Sequence, residues 1–452
     1  MRIELIWFLI FSGFFLNPKA SYGQQKKIEE INVKITRGPY LQCVTPGSIV
    51  IQWRTNIPTS SKVFYGIESD NLDMVNQTEI QSIDHQVRIT DLHPDTKYYY
   101  EIGNEGLNDL HFDASYYFST SPKEIHDRPV KIWVLGDFGT GDNVARNVKK
   151  AYYKYMDNKH TDVWLMLGDI AYYHGKDAEF QRALFDNVYD EFLRNTVAWP
   201  AIGNHDGRSA DSRTQSGPYY EVFSLPTQGE AGGYPSSTEA YYSFNYNNIH
   251  FVSLDSEESP RESDGEMAQW LKMDLERNLS QWLIVYFHHP PYTKGTHDSD
   301  RKNDSQGRMI EMRQNILPIL EDYSVDLVLS GHSHVHERSH LIKGHYGSSE
   351  SFKEKSMILC DKEKSKGISY YTKSLKAHGT MYIVCGVGCR KASYTRLDHP
   401  AMSFCTDMHA GSLSIEVHKN QLSGTFITSK GKIRDRFCIT KVDDVDGGEI
   451  NQ

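Results

Sequence analysis

The sequence predicts an α/β protein that is preceded by a small all-β domain. From about residue 34 to 120, short runs rich in β-branched and aromatic residues are separated by turn residues, which is typical of β-strands. After Val130, continuous apolar runs alternate with segments whose apolar residues recur at helical spacing. That alternation is typical of a largely parallel sheet covered by helices.

Composition and charge narrow the class of protein. The chain has 452 residues, 38% hydrophobic and 24% charged, which is ordinary globular usage and excludes disordered, collagen-like and coiled-coil chains. Lys plus Arg number 49 and Asp plus Glu 59, giving a net charge of −10. Stable nucleic-acid binding needs a basic surface that displaces counterions, so nucleic acid is not expected as a partner. The sequence carries no signal of oligomeric state.

The first 23 residues are predicted to be a secretory signal peptide. Met1-Arg2 supplies a positive start, an apolar run follows from Leu5 to Leu16, and small residues follow at Ala20, Ser21 and Gly23. The apolar run is too short for a helix that crosses a bilayer of about 30 Å, although an uncleaved anchor is the alternative. We therefore expect a secreted or periplasmic protein without a membrane span.

The segment after the signal peptide is predicted to be all-β. Residues 49–53 and 62–65 are predicted strands, with turns at Pro46-Gly47 and Asn56-Ile57-Pro58. Residues 92–100, Leu-His-Pro-Asp-Thr-Lys-Tyr-Tyr-Tyr, resemble the end of a fibronectin type III-like sandwich, where a similar turn leads into a tyrosine-rich strand.

A polar linker at residues 119–129 precedes the α/β region. Three amphipathic helices are predicted around residues 144–155, 180–192 and 267–275. The polar segment 344–379 is predicted to be a long surface loop or insertion. Buried strands are predicted at residues 131–135, 162–167, 199–202, 249–254, 283–287 and 325–329.

Six cysteines remain after the predicted cleavage, and five lie in the last hundred or so residues. An even number of cysteines in an exported protein allows up to three disulfides, which would crosslink the C-terminal region. Cys385 and Cys389 also have a spacing that is weak for zinc, so disulfides or buried thiols are favoured.

Five short polar motifs follow predicted strands, where the carboxyl ends of strands meet the ligand crevice of an α/β fold. A Gly-Asp pair alone is usually a turn, and His288 beside His289 alone is usually a hydrogen-bonded core residue. The specific signal is the combination in this order. The motifs are Gly136-Asp137-Phe138-Gly139, Gly168-Asp169-Ile170-Ala171-Tyr172, Gly203-Asn204-His205-Asp206, Val285-Tyr286-Phe287-His288 and Gly331-His332-Ser333-His334.

These residue types favour a pair of metal ions. Imidazole suits iron and zinc, whereas carboxylate and phenolate oxygens suit harder ions. One carboxylate can bridge two cations about 3.5–4 Å apart, which forms a clamp for phosphoryl displacement, and Asp169 is the natural bridge. Tyr172 would be ionised if it bound a trivalent ion, so its oxygen favours iron(III).

The motif set resembles the metallophosphoesterases and, within them, the purple acid phosphatases. Most metallophosphoesterases have Asp-x-His in the first motif, whereas Gly139 stands at the histidine position here. Purple acid phosphatases replace that histidine with a tyrosine in the second motif, and Tyr172 occupies that place. Phe138 departs from the glycine of many members at a position that is not a ligand.

The resemblance implies a four-layer α/β/β/α sandwich at about residues 129–440, preceded by a fibronectin type III-like domain at about 30–122. It implies iron(III) together with a divalent ion, either iron, zinc or manganese. The iron(III) ligands would be Asp137, Asp169, Tyr172 and His334. The ligands of the divalent ion would be Asp169, Asn204, His288 and His332.

The implied function is an exported acid phosphatase that hydrolyses small-molecule phosphate monoesters through attack of a metal-bound hydroxide. His205 and His297 are candidate catalytic residues, because a general acid should protonate the leaving oxygen; His297 is otherwise an exposed loop imidazole. Asp206 and Glu337 are candidate partners of metal-bound imidazoles, and a surface charge is the equal alternative for either. The alternatives are a phosphodiesterase on the same metal site and a non-catalytic adhesion or carbohydrate-binding protein.

Overall fold

The computed structural model describes residues 33–103, 113–186, 188–360, 362–374, 379–390 and 395–442. The predicted signal peptide, residues 1–23, lies outside these ranges. Within the described ranges, no helix has the length and apolar character needed to cross a bilayer.

The N-terminal β-domain consists of five strands in one hydrogen-bonded sheet, β1 to β5. The long strand β2 joins the domain together, because it pairs with β1, β3 and β4. Buried Ile51, Trp53, Val63 and Tyr98 form part of its core. The strands are β1 Ile35–Gln42, β2 Ile49–Gly66, β3 Met74–Ile89, β4 Lys97–Gly103 and β5 Tyr117–Ser119.

The predicted turn at residues 56–58 is wrong, because β2 continues through it. The register of β2 against β3 shifts between Arg54 and Thr59, which marks a bulge. A bulge leaves residues unpaired, so Pro58 is tolerated there without the N–H that a regular ladder would require.

Two mixed sheets form the centre of the remaining chain. The eight-stranded sheet has the order β14-β15-β20-β19-β18-β6-β7-β8, and the seven-stranded sheet has the order β17-β13-β16-β12-β11-β10-β9. Within them, β6, β7 and β8 are parallel, as are β10, β11, β12 and β16. The strands are β6 Val130–Leu135, β7 Val163–Met166, β8 Ala198–Pro200, β9 Tyr242–Tyr246, β10 Ile249–Ser253, β11 Trp282–Phe287, β12 Leu327–Ser330, β13 His336–Ile342, β14 Glu363–Ser365, β15 Ile368–Ser374, β16 Thr380–Cys385, β17 Met402–Thr406, β18 Gly411–His418, β19 Gln421–Thr428 and β20 Ile433–Val442.

Helices cover the outer faces of the two sheets. The α-helices are α1 Asn143–Met156, α2 Asp177–Phe180, α3 Asp190–Leu193, α4 Pro218–Val222, α5 Glu266–Arg277, α6 Arg308–Glu311, α7 Leu317–Asp322 and α8 Glu354–Met357. Single π-helical turns at Gln181–Phe185 and Met312–Ile316 extend α2 and α6, and short 3₁₀ turns lie at Asp206–Ser209, Asp304–Gly307 and Ser349–Ser351. Helix α1, capped by the Asp142 carboxylate at the amides of Val144 and Ala145, packs on β18 and β19.

The layers follow from where the apolar side chains meet. One core cluster contains the inner faces of both sheets, including Val134 and Leu413 of one and Phe251 and Ile284 of the other. A second cluster joins the outer face of the seven-stranded sheet to α5, for example through Leu271. The predicted four-layer α/β/β/α architecture with an N-terminal all-β domain is therefore confirmed.

Two predicted elements differ from the structure. The helix predicted around residues 180–192 is split into α2 with its π turn and α3. The segment 344–379 is not simply a loop, because it contains α8, β14 and β15; β15 pairs in parallel with β20 near the edge of the eight-stranded sheet. In β15 burial alternates along the strand, but Ser369 and Lys373 occupy buried positions, so the alternation of apolar and polar residues that marks a half-buried strand is weak.

All six cysteines are free thiols, so the expected disulfide staple is wrong, and the alternative of buried thiols holds for four of them. Strand positions explain the separation of Cys385 and Cys405. Cys385 pairs with His336 on one side of β13, and Cys405 pairs with Glu337 on the other side. Two strand spacings are about 9–10 Å, whereas a disulfide requires Cα atoms within about 7 Å.

Candidate metal centre

The strand order brings the five polar motifs to one edge of the two sheets. Asp137 and Asp169 follow the adjacent strands β6 and β7, and Asn204 follows β8. His288 follows β11, and His332 follows the neighbouring strand β12 of the other sheet. Because these strand ends face one another, side chains from distant parts of the sequence meet.

The backbone at the strand ends is held in a costly conformation. Asp137, Asp169 and His332 have φ angles of 55°, 54° and 66°. Left-handed backbone costs a residue other than glycine on the order of 1–3 kcal/mol where it is strained, and such positions cluster at functional sites. The close approach also requires glycine: a Cβ on Gly203 would lie 2.1 Å from the Asp169 nitrogen.

Gly139 leaves no room for the histidine that occupies its place in most metallophosphoesterases. A Cβ at Gly139 would lie 2.4 Å from the carbonyl carbon and oxygen of Ile170. The amide of Tyr172 donates to the Gly139 carbonyl at 3.1 Å, so the two motifs are in direct backbone contact. The ring that enters the site here is therefore that of Tyr172.

Three lone pairs converge at Asn204, His288 and His332. Nδ1 of His288 lies 2.8 Å from the Leu167 carbonyl, which only accepts, so the neutral ring presents an unprotonated Nε2. The hydroxyl of Ser305 donates to Asp304 and lies 2.6 Å from His332 Nε2, so Nε2 carries the proton of His332 and Nδ1 does not.

The separations of these atoms match those of ligands around one ion. Asn204 Oδ1 lies 3.0 Å from His288 Nε2 and 2.9 Å from His332 Nδ1, and the two nitrogens are 3.2 Å apart. Ligands about 2.1 Å from an ion at right angles would be about 3.0 Å apart. When both rings are neutral in these tautomers, the three atoms are all acceptors, and acceptors at these distances fit a cation between them.

A second group is formed by Asp137, Tyr172 and His334. The Tyr172 hydroxyl lies 3.1 Å from Asp137 Oδ1 and 3.3 Å from His334 Nε2, and that nitrogen is 3.5 Å from the same carboxylate. Asp137 and Tyr172 are buried, whereas His334 is partly exposed. The group combines an imidazole with two oxygens that can be anionic, which suits a hard cation.

Asp169 lies between the two groups. Its Oδ1 is 3.5 Å from His288 Nε2 and accepts from the His205 amide at 2.8 Å. Ligand atoms of Asp137, Asp169 and His288 all lie within 4.8 Å of one another. A carboxylate in this position can contact both candidate sites.

Burial and the neighbouring ionisable groups shift the pKa values of Tyr172, His288 and His332. Burial, reinforced by Asp137 and Asp169, raises the pKa of Tyr172 well above its ordinary value. Burial opposes a charged His288, but the carboxylates of Asp169 and Asp137 raise its pKa. Burial and the neighbouring imidazoles lower the pKa of His332 far below its usual range. A bound cation would satisfy the carboxylates, the phenolate and the neutral imidazoles together.

The two candidate catalytic histidines lie beside these groups. His205 donates from Nδ1 to the Tyr173 carbonyl at 2.8 Å, and its Nε2 is 3.8 Å from Asp169 Oδ2. The His297 ring stacks on His332 at 3.8 Å between centroids. The structure thus brings together all nine residues that the sequence singled out.

The predicted partners of the imidazoles are wrong. Asp206 accepts instead from the amides of Ile170, Ala171 and Gly203, so it holds two motif loops together. Glu337 accepts from Thr293 Oγ1 at 2.5 Å and from the Lys294 amide at 3.2 Å.

His289 and His336 are buried, and Arg338 forms an ion pair with Asp435.

Sequence reasoning missed Asp304, Ser305 and Arg390. His297 Nδ1 lies 2.7 Å from Asp304 Oδ1, and Ser305 fixes the proton of His332 as described above. The guanidinium of Arg390 lies 4.7 Å from the Tyr172 ring centre. Asp304 lies seven residues after His297, and that spacing is the one signal in the sequence. The other contacts join segments far apart in the chain.

Glutamine at position 337 is expected to change how stability depends on pH. Burial raises the pKa of Glu337 to about 7, so the folded protein holds this proton after the unfolded chain has released it near pH 4.3. This contribution is complete below that pH and is lost as pH rises through about 7. The free energy of unfolding of E337Q relative to the wild type should therefore increase by about 3 kcal/mol between pH 4.5 and 8.

Urea denaturation at the two pH values measures this difference. Exposed Glu350 offers a matched control, since E350Q should leave the pH dependence of the wild type unchanged. Parallel stability curves for E337Q and the wild type would contradict the prediction.

Both parts of the chain match known protein-family profiles. Residues 130–336 match the calcineurin-like phosphoesterase profile, and residues 37–120 match that of the purple acid phosphatase N-terminal domain. Purple acid phosphatase 21 of Arabidopsis thaliana is 30% identical over 261 residues, which cover 56% of this chain and 53% of the relative. Phosphoenolpyruvate phosphatase of Allium cepa is 28% identical, with 73% of this chain and 65% of the relative covered.

The first two curated relatives are matched over about half of their own length, 53% and 50%. Among solved structures, a purple acid phosphatase from yellow lupin seeds superimposes with a TM-score of 0.66 at 15% identity, covering 90% of this chain and 75% of that one. The PhoD structure gives a TM-score of 0.60 at 13% identity, covering 88% of each chain. At these identities, the structural likeness shows the fold.

The predicted resemblance is confirmed by both family profiles and by the fold. The chain therefore combines a region that matches the purple acid phosphatase N-terminal domain with a calcineurin-like phosphoesterase domain, and purple acid phosphatases are among its relatives in sequence and in fold.

Proposed function

We propose that this protein hydrolyses phosphate monoesters at a centre of two metal ions. The observation that carries the proposal is the convergence of His288 Nε2, His332 Nδ1 and Asn204 Oδ1 within 3.2 Å of one another. This group lies beside a second one with a phenol, a carboxylate and an imidazole, and Asp169 stands between them. A purely adhesive protein would have no use for such a buried arrangement of acceptors.

The residues divide into two proposed ligand sets that share Asp169. Asp137, Tyr172 and His334 would hold iron(III), because a phenolate is an anionic, hard ligand. Asn204, His288 and His332 would hold a divalent ion, either iron, zinc or manganese. When bound, the two ions would neutralise phosphate oxygens and lower the pKa of water in the site.

His297 is proposed to donate a proton to the leaving oxygen. Its Nδ1 lies 2.7 Å from Asp304 Oδ1, and because a carboxylate accepts, Nδ1 donates there and the ring is oriented. The second nitrogen, Nε2, is the atom from which the imidazolium form would pass a proton to the leaving oxygen. His205, fixed by the Tyr173 carbonyl, would line the other side of the pocket and orient phosphate through Nε2.

Replacing His297 with glutamine is expected to lower kcat by about 100-fold for phosphate esters of alkyl alcohols, which is the lower range for general acid catalysis. The loss should be much smaller for p-nitrophenyl phosphate, because p-nitrophenolate leaves without protonation. Steady-state kinetics with both substrates measures this contrast. His418, which is partly exposed and pairs with Asp127, provides the control variant H418Q. Equal losses with the two substrates would exclude His297 as the proton donor.

Purified protein tests the proposed function directly. Metal analysis should find two ions per chain, and the oxidised iron form should show a visible tyrosinate-to-iron(III) band. Hydrolysis of p-nitrophenyl phosphate should exceed that of its bis-ester; the reverse ratio would favour the phosphodiesterase. Phosphoenolpyruvate, for which the onion relative is named, is itself a phosphate monoester. Activity that is unchanged in N204A would exclude catalysis at this site.

Export and the domain limits are also proposed. The sequence of residues 1–23 supports cleavage after Gly23, which leaves Gln24 first in a secreted or periplasmic protein. The mass of the mature N-terminal peptide tests this. The proposed limits are residues 30–122 for the N-terminal domain and 129–440 for the catalytic domain.

A further inference from the structure

One short helical segment lies between the N-terminal β-domain and the turn that follows Tyr172. It comprises α2 and its π turn, Asp177–Phe180 and Gln181–Phe185. The turn, residues 172–176, carries the phenol of the candidate metal centre at its start. The two faces of this segment contact different partners.

The first face contacts the β-domain through residues spaced four apart, which lie on one side of a helix. Asp177 forms ion pairs with Arg37 at 2.8 Å and with Arg54 at 2.7 Å. Gln181 accepts from Arg37 Nε at 2.8 Å and donates to the Thr36 carbonyl at 3.0 Å. The ring of Phe185 lies under the Arg37 guanidinium at 5.0 Å.

The opposite face contacts the backbone of the turn. Glu179 accepts from the amides of Tyr173 and His174 at 2.6 and 2.8 Å. Arg182 donates to the Tyr172 carbonyl at 2.6 Å and to the Thr140 carbonyl at 3.2 Å. Both polar groups of the peptide bond that follows Tyr172, its carbonyl and the Tyr173 amide, are thus fixed by this one segment.

Arg37 is the central contact of this arrangement. It is only 3% exposed and binds Asp177, Gln181 and the face of Phe185 simultaneously. A buried guanidinium that binds two side chains at once, here Asp177 and Gln181, fixes them more rigidly than a flexible lysine would. Displacement of the segment would therefore require this whole set of contacts to open.

We propose that the N-terminal β-domain positions Tyr172, with Arg37 as the positioning residue that acts through the Asp177–Phe185 segment. If the β-domain positions Tyr172, its contacts have a purpose: Arg37 and Arg54 bind one face of the Asp177–Phe185 segment, and the opposite face of that segment binds the turn. That Tyr172 is a metal ligand rests on the proposed function. The coupling between Arg37 and the turn at residues 172–176 does not.

Hydrogen exchange of the full-length protein tests the coupling without depending on metal. In R37Q, the amides of Tyr173 and His174 should exchange at least about tenfold faster than in the wild type, because local opening becomes easier. R37K should restore part of the protection, since lysine reaches Asp177 but cannot also bind Gln181. R54Q, at a position with a partly exposed side chain, provides a second variant if R37Q does not fold.

Tyr100 provides the matched control at the same domain contact. Its hydroxyl donates to the Arg194 carbonyl, away from the segment and the turn, so Y100F should leave exchange at Tyr173 and His174 unchanged. In iron-loaded protein, R37Q should also shift the tyrosinate band while Y100F should not.

Three outcomes decide the proposal. Faster exchange in the arginine variants but not in Y100F supports it. Unchanged exchange at residues 173–174 in the arginine variants overturns it, as does equal acceleration in Y100F, which would indicate general loosening of the domain contact. A wild type that binds no metal and hydrolyses no phosphate ester would refute the proposed function, and the exchange data would still decide the coupling.

Discussion

Replacing Asp169 with asparagine is expected to reduce kcat for p-nitrophenyl phosphate by about ten-thousandfold or more. The bridging position gives this residue an effect on both proposed ions, and loss of several kcal/mol of transition-state stabilisation corresponds to a factor of this size. Asparagine has nearly the same shape but no negative charge, so the two sites would lose the anion that they share.

The metal content should fall with the activity. Metal analysis of D169N should find less than one ion per chain under conditions that load the wild type with two. The Asp169 Oδ1 contact with the His205 amide can be kept by the asparagine oxygen, so circular dichroism should show an intact fold. D264N, at an exposed aspartate on the surface, provides a control of identical chemistry. Full activity with normal metal content in D169N would exclude Asp169 as a shared ligand.

The alternation of strands and helices was enough to predict that the polar motifs lie at one edge of the sheets. Buried runs such as residues 131–135 and 283–287 identify strands, and a polar motif at the carboxyl end of each strand must reach the same edge of a sheet. The proximity of Asp137 and Asp169 follows from that rule, whereas His288 follows a strand of the second sheet and meets them because the strand ends of the two sheets face one another. The prediction succeeded because regular strands have few ways to be connected.

The hydrogen-bond partners of the motif histidines could not be predicted in this way. The tautomer of His332 is fixed by Ser305, which lies on a loop 27 residues earlier, and His288 is fixed by a backbone carbonyl of another strand. Backbone carbonyls are present at every position, so no residue type marks the one that binds an imidazole. Acidic residues near the motifs, such as Asp206 and Glu337, were therefore natural but incorrect candidates.

In the β-domain, too, the sequence predicts local structure better than tertiary contacts. Pro58 usually ends a strand, but a bulge in β2 accommodates it, and the bulge depends on pairing with β3. The contact of Arg37 with Asp177 joins residues 140 positions apart. Local patterns identify the domain, whereas its contact with the catalytic region depends on tertiary packing.

Replacing Tyr172 with phenylalanine is expected to abolish the visible tyrosinate band and to lower kcat by about a thousandfold. The variant removes one oxygen from the group with Asp137 and His334, and loss of several kcal/mol in the stabilisation of one ion would have this effect. The ring is retained, so its packing against Arg390 and His205 should remain.

Stability separates loss of a ligand from loss of the fold. In metal-free protein, Y172F should unfold within about 1 kcal/mol of the wild type, because only the hydrogen bonds of a single hydroxyl are lost. Tyr173, whose side chain is 53% exposed, offers the adjacent control Y173F, which should keep the band and the activity. A visible band that persists in iron-loaded Y172F would mean that another group supplies the chromophore. The assignment of iron(III) to the Asp137 and His334 side of the centre would then lose its basis, because the phenol is the ligand that distinguishes this side from the one formed by Asn204, His288 and His332.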